Sequence, residues 1–384
     1  MAGKTKRALR NTAIQVGAQA VTWTLSWVLL VVLPRYLGDA GFGKLFFAIS
    51  YGTIFSAFIN LGVNTYVVRE VAVMKSQHGM DGEEKRREKQ VGELIGNVFC
   101  LKITLAIIVY AIMSGLIYLL PYEDLTRQAV LIIGASTCLG AVTLTLGGVF
   151  QGFESMSVPS IALILEKIIV TAACVLLLTS GYSLLSVCWV YLTGAVANFL
   201  VTFLVLIRKI PFVFHWNRDF IRKIFLGGLP FFIWIIFGEI YVRIDVLMLS
   251  QMTSDAVVGW YGAAFRLYST LLFIPHILNT SIFPAMSRMG ADKENWDDFA
   301  QASRRVMNLM LFVAVPTAAG TILIADPILV LLYGISSFQQ AGPCLKLFGV
   351  SILLVCVDVL LGSILIARGK EKEWSYMAIL AAVF

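Results

Sequence analysis

The sequence predicts an all-α integral membrane protein with two pseudo-symmetric bundles of transmembrane helices, about eleven spans in this chain. Three observations predict it. Hydrophobic residues make up 59% of the 384 and charged residues 14%, against about 45–50% and about 25% in ordinary soluble domains. The apolar residues fall into runs that match the roughly 20 residues a bilayer-spanning helix needs. Lysine and arginine gather in alternate connections between those runs, the bias that sets orientation in a membrane.

The spans can be taken in order. The first covers 11–33 and ends at Pro34, the second 42–73, the third 92–121, the fourth 129–150, the fifth 159–180 and the sixth 184–207. The seventh covers 225–249, the eighth 256–283, the ninth 306–325 and the tenth 345–367. An eleventh starts near Ser375 and is still apolar at Phe384. It has reached about half of a spanning length, so the sequence reads as part of a longer protein.

Lys4, Lys6, Arg7 and Arg10 precede the first span, and Lys75, Lys85, Arg86, Arg87 and Lys89 follow the second. Arg208, Lys209, Arg218, Arg222 and Lys223 follow the sixth; Arg288, Lys293, Arg304 and Arg305 follow the eighth; Arg368, Lys370 and Lys372 follow the tenth. The intervening connections hold little beyond Arg35, Lys44 and Arg127. A cytoplasmic N-terminus in the plasma membrane is expected. The formal charge of +7 therefore serves orientation, and a nucleic-acid partner is not expected. The charge run from Gly79 to Lys89 reads as a solvated cytoplasmic hairpin, with contact to anionic head groups or a partner enzyme as the alternative.

Several classes are excluded. The six cysteines show no CxxC spacing and the three histidines are scattered, so neither a disulfide framework nor a zinc site is expected. There is no GxxxxGK[ST] loop for an ATP-driven motor. The basic start runs into an apolar stretch too long for a signal peptide. No cofactor is expected.

A short repeat suggests two halves. Asp39-Ala40-Gly41-Phe42-Gly43 and Asp255-Ala256-Val257-Val258-Gly259 both read Asp-Ala-x-x-Gly at the start of a long apolar run. Aspartate suits a helix N-terminus and glycine allows helices to approach closely. Both copies open a span running from outside to inside, so the halves should be parallel repeats. The expected organisation is an N-terminal six-helix lobe at 1–207, a cytoplasmic linker at 208–223 and a C-terminal lobe at 224–384.

Ionisable residues inside spans are costly and point to function. Glu239 and Arg243 are four apart on the seventh span, on one face and able to pair. Asp245 lies two residues on, and Arg266 sits on the eighth span at a similar depth. Arginine matches phosphate oxygens with a planar fork of donors. Arg243 and Arg266 are therefore candidates for a cationic cavity wall, with Glu239 and Asp245 as neighbours. Structural ion pairs, Glu239 with Arg243 and Asp245 with Arg266, are the alternative. Glu166, Asp358 and Lys102 are candidates for carrying a coupling proton, or else members of structural ion pairs. Pro230, Pro275, Pro284 and Pro316 mark kinks. Trp23, Trp27, Trp216, Trp260 and Trp374 read as interfacial belt residues, and Trp234 as a sugar-stacking side chain.

These residues carry a resemblance. The carrying segments are Leu33-Pro34-Arg35-Tyr36-Leu37-Gly38 with Phe42-Gly43, Asn60-Leu61-Gly62-Val63, and Arg69-Glu70. In the second half they are Arg243-Ile244-Asp245-Val246-Leu247-Met248-Leu249, Val258-Gly259-Trp260-Tyr261 with Ala263-Ala264, Phe283-Pro284, and Asp326-Pro327 through Tyr333-Gly334. In this order they resemble the polysaccharide (O-antigen type) flippases of the multidrug/oligosaccharidyl-lipid/polysaccharide exporter superfamily. The resemblance implies twelve to fourteen helices in a full protein and two lobes around a cavity that opens alternately to either side. It also implies a polyprenyl-diphosphate-linked oligosaccharide as substrate and no enzymatic activity. Membrane lipids and polysaccharide-assembly enzymes would be the partners, and Arg35 would help at release. A small-molecule or drug exporter of the same superfamily, and a membrane-embedded glycosyltransferase or ligase using the same lipid, stand as alternatives.

Overall fold

A computed structural model describes residues 2–76, 83–210, 218–291, 296–334, 338–370, 372–374, 376, 377 and 380. Its elements are α1 Ala2–Asn60, α2 Val63–Ser76, α3 Glu83–Leu119, α4 Asp124–Gly152, α5 Ser157–Thr179, α6 Leu184–Lys209, α7 Arg218–Met252, α8 Asp255–Leu271, α9 Phe273–Ala291, α10 Trp296–Tyr333 and α11 Gly342–Ala367, with a 3-10 turn at Gln339–Ala341. The all-α expectation holds. Eight helical stretches among the described residues are long and apolar enough to cross a membrane, and the chain is a multi-pass membrane protein. The eleventh expected span falls mostly outside the described residues, as do the Gly79–Lys89 run's side chains, Trp216, and the side chains of Pro230 and Trp234.

The first two spans meet at a kink at Gly38, whose φ of 69° and ψ of 179° separate two helices within α1. Two long apolar runs are not single straight helices. The second span breaks between α1 and α2, where Leu61 has φ 42° and Gly62 φ 66°. The eighth span is divided into α8 and α9 around Leu272. Pro275 explains that division. It has no N–H to donate to the carbonyl four residues back, Leu271, and Leu271 is where α8 ends.

The chain packs as two compact units: residues Met1–Leu37 with Lys44–Met252, and residues Gly38–Gly43 with Thr253–Phe384. In the first, Val63, Val67 and Val71 form one buried stripe of α2 at helical spacing, packed with Leu94, Ile95 and Val98 of α3 and Leu146, Val149 and Phe150 of α4. In the second, Tyr268 of α8, Ala314 of α10 and Ile352 and Cys356 of α11 form a buried cluster. A second cluster joins Met286, Phe299 and Ala367. Five of the six cysteines are buried and all six are free, as small apolar fillers should be.

The two copies of the Asp-Ala-x-x-Gly repeat touch each other inside the second unit. A methyl group on Gly43 would fall 1.8 Å from the Asp255 carbonyl oxygen, and one on Gly259 would fall 2.1 Å from that of Asp39. Each glycine thus seats the backbone of the other copy's aspartate, and the contact is its own mirror in sequence. The indole of Trp260 donates to Asp39 Oδ2 at 3.2 Å, so Trp260 is a tie across this contact. Asp39 Oδ1 accepts from its neighbour Ala40 N–H at 2.8 Å.

At the start of α4, Glu123 accepts a hydrogen bond and ion pair from Lys44. The Lys44 hydrogen bond, and then its charge, hold the Glu123 carboxyl below the ordinary carboxylate range. A depressed folded-state value means the stabilisation is fully present above the ordinary carboxylate pKa and is lost as pH falls through the folded one.

Gly43→Ala and Gly259→Ala should each lower thermal stability by about 1–3 kcal/mol, because the added carbon meets backbone rather than a flexible side chain. Gly140→Ala, which meets nothing within 4 Å and gains helix propensity inside α4, should be neutral to slightly stabilising; equal losses at all three positions would refute the close contact. Glu123→Gln should flatten the acid limb of a stability-versus-pH curve relative to the native chain and leave the neutral region's slope unchanged. An unchanged acid limb would show that the Lys44 pair contributes nothing.

Candidate functional site

The ionisable groups expected inside the spans divide by the unit that carries them. On α7, Glu239 and Arg243 are paired, with Arg243 Nε 3.1 Å from Glu239 Oε2 and side chains 23% (Arg243) and 34% (Glu239) exposed. Four residues on a helix bring two side chains onto one face, and the expected pair forms. Mutual neutralisation lowers the cost of both charges in a span, and their partial exposure leaves guanidinium donors accessible. Asp245 is half-buried, and its Oδ1 accepts from the adjacent Val246 N–H at 2.7 Å.

Arg266, on α8, is held differently. Its guanidinium lies over the ring of Phe42, 5.3 Å from the centroid, and Phe42 is fully buried. Phe42 meets Phe338 edge-on at 6.2 Å, and Phe338 meets Tyr333 at 5.2 Å. A cation over an aromatic face is stabilised by about 0.5–2 kcal/mol. The ion pairs among the described residues do not include Arg266; its described partner is the Phe42 ring. Arg35 is exposed, three residues before the bend at Gly38.

The three coupling candidates occupy three distinct settings. Glu166 Oε2 accepts from Asn198 Nδ2 at 2.6 Å, and Asn198 Oδ1 accepts from Thr202 at 3.2 Å, a polar chain linking α5 to α6. Asp358 is exposed on α11, on the stripe that carries exposed Leu347, Val350, Leu354 and Leu361. Lys102 is 1% exposed and sits on carbonyl oxygens at the end of α1, 2.8 Å from Ile59 O. None of the three belongs to an ion pair among the described residues; their described surroundings are an amide, an apolar face and a helix end.

One feature that charge-based reading missed is an aromatic ladder in the first unit. Tyr122, Phe47, Tyr51, Phe55, Phe58 and Phe232 follow one another with ring centroids 4.8, 5.6, 4.8, 6.3 and 5.8 Å apart. Four of the rings lie on α1 at spacings of four, four and three, which places them along one face. That spacing is legible in the sequence. Phe47 and Tyr51 are buried, whereas Phe58 is 39% exposed, so the ladder surfaces toward its Phe58 end. Tyr122 at the other end is fixed by Ser250 Oγ at 2.7 Å and Gln251 Nε2 at 2.6 Å. Two polar ties in the second unit also escaped the reading: Lys346 to Asp326 at 2.6 Å and Ser363 to Asn279 at 2.6 Å.

Comparison with known proteins places this architecture. A family model described as polysaccharide biosynthesis protein matches residues 8–290, and the MatE model matches residues 230–384. A protein of Shigella dysenteriae named as an O-antigen transporter is 22% identical over 334 residues, covering 86% of this chain and 79% of its own length. The lipid II flippase MurJ in an inward closed conformation superposes with a TM-score of 0.71 at 16% identity, over 97% of this chain and 78% of that one. A multidrug resistance MATE family transporter of the MOP superfamily in an inward-facing conformation does so with a TM-score of 0.70 at 15% identity, over 94% and 83%. The fold is thus that of MOP-superfamily transporters, and with more than half of its length inside the first model the chain belongs to the polysaccharide biosynthesis protein family.

Proposed function

We propose that the chain is a secondary-type flippase, a carrier rather than an enzyme. Its cargo would be a polyprenyl-diphosphate-linked oligosaccharide crossing the cytoplasmic membrane for surface polysaccharide or glycoconjugate synthesis. The observation that carries this reading is the family match over residues 8–290; the name of the Shigella relative supports the cargo class.

The chemistry of the chain fits such a cargo. A diphosphate offers several anionic oxygens, and Arg243 presents a guanidinium already held in orientation by Glu239. A phosphate bound on the guanidinium N–H groups that Glu239 leaves free would hold the head group while the Glu239–Arg243 pair stays intact. Arg266, supported on Phe42, would be the second phosphate ligand. Asp245 would help orient the α7 backbone, and Arg35 would assist release. The exposed Phe58 end of the aromatic ladder would stack against the C–H faces of sugar rings, which pack on aromatic surfaces through apolar contact.

Alternating access would be carried by lobes at 1–207 and 224–384 joined by 208–223, with the N-terminus cytoplasmic and the lipid tail left in the bilayer. Separation of the Gly43–Gly259 contact would be part of the cycle. Asp358, a carboxylate on an otherwise apolar face of a spanning helix, is the first candidate for a coupling proton, and Glu166 the second. Polysaccharide-assembly enzymes would supply and consume the cargo.

A drug exporter of the same superfamily is the second reading, favoured by the MatE match over residues 230–384. The two separate by experiment. In the native host, deletion of the full-length gene should accumulate lipid-linked oligosaccharide on the cytoplasmic face and deplete surface polymer. Complementation with Arg243→Ala or Arg266→Ala should reduce flipping about tenfold or more, the cost of one lost charge-assisted hydrogen bond. Normal flipping by a well-expressed double variant would remove both arginines from the site. Unchanged lipid-linked intermediates in the deletion strain, together with resistance to cationic dyes on expression, would favour the exporter.

A further inference from the structure

The break between α1 and α2 poses an electrostatic problem. A helix end leaves its last carbonyls without intrahelical donors, and the peptide dipoles place a partial negative charge there. Here the end is buried: Ile59 is 0% exposed. Leu61 and Gly62, both at positive φ, turn the chain away before α2 resumes. In hydrocarbon no water can repair such an end.

Lys102 meets it from α3. Its Nζ lies 2.8 Å from Ile59 O, 3.2 Å from Asn60 O and 3.4 Å from Asn60 Oδ1. The residue lies twelve positions after Gln90, where the span begins, or about 18 Å along the helix, near the middle of a hydrocarbon core about 30 Å thick. An ammonium has three N–H donors and no acceptor. Three oxygens converging on Nζ match that inventory. A neutral amine would turn its lone pair toward one of them, acceptor against acceptor. The geometry therefore selects the charged form, although none of the ion pairs among the described residues supplies a carboxylate for it.

Broken helices in secondary transporters present carbonyls and half-helix C-terminal ends to sodium ions or protons. We infer that the end of α1 is a monovalent-cation site and that the Lys102 ammonium is its permanent, tethered occupant. The break thereby holds its charge balance through the cycle without an exchangeable ion at this position. This inference is independent of the cargo.

The test removes the tether and supplies the cation separately. In the purified full chain, Lys102→Met keeps the unbranched stem as far as Cε and loses the ammonium; it should melt about 5 °C or more below the native chain. Lys102→Ala should melt lower still. It should recover in n-propylammonium chloride, which restores the deleted atoms together with the ammonium, and not in choline chloride or in n-propanol. Sodium or potassium should raise the melting temperature of Lys102→Ala and leave the native chain unmoved, if the site accepts a bare metal ion as well as an ammonium. Recovery by the metal ions without n-propylammonium also supports the cation site. A Lys102→Met protein as stable as native, or equal recovery of Lys102→Ala by propanol and propylammonium, would overturn the inference in favour of simple packing. Should neither variant fold, nitrogen-15 lysine spectra of the native chain decide, with the Lys102 signal identified by its loss in Lys102→Arg. A slowly exchanging ammonium supports the tethered cation, and a neutral amine overturns it.

Discussion

Backbone polar groups cannot be left unpaired in hydrocarbon, and this constraint shapes the protein more than any individual side chain. A straight apolar helix satisfies it automatically. This chain departs from straight helices at Gly38, at Leu61–Gly62 and at Leu272, and each departure requires a local repair. At Leu61–Gly62 the repair is a buried ammonium from a neighbouring helix. At Leu272 the N–H keeps an ordinary α-helical bond to Tyr268 O at 3.2 Å, so the ladder continues up to the division. At Gly38 glycine adopts a conformation that costs residues with a Cβ much more. The bends therefore sit where the sequence supplies a repair, and the rest of the packing is arranged around them.

Charge placement follows the same economy. Arg243 is neutralised by Glu239 one turn away, Arg266 rests on an aromatic face, and Glu166 is bound by an amide. None is free of support, yet each support is weaker than a fully buried carboxylate–guanidinium lock, which an anionic ligand could not open. Groups held in this way are each supported by a single neighbour rather than by a closed ion-pair network.

Much of the architecture was legible in the sequence. Apolar runs of spanning length map onto helices because a bilayer enforces both length and regular hydrogen bonding. The Glu239–Arg243 pair was legible because helical spacing alone brings the two side chains together. The Asp-Ala-x-x-Gly repeat was legible as a similarity, but not as a contact: nothing local in the sequence tells that each copy seats on the other. The second span was read as one run from 42 to 73, since hydropathy continues unbroken through Leu61 and Gly62 and only backbone dihedrals reveal the break. The setting of Lys102 was illegible for a related reason. Its partners are main-chain oxygens, which carry no identity in the sequence, so a search for an oppositely charged residue could not find them. The partners of Trp260 and Arg266 were illegible because the aspartate and phenylalanine that hold them lie more than two hundred positions away.

The reciprocal seating of Gly43 on Asp255 and Gly259 on Asp39 has a mechanical corollary. A single close contact resists approach but lets two helices slide past one another. Two contacts related by exchange of the helices behave otherwise: a displacement of one helix along its axis by a single residue unseats both notches together. Axial sliding is thereby suppressed. The pair therefore fixes the register of the two helix ends at two points at once, each open to backbone only because no side chain stands there.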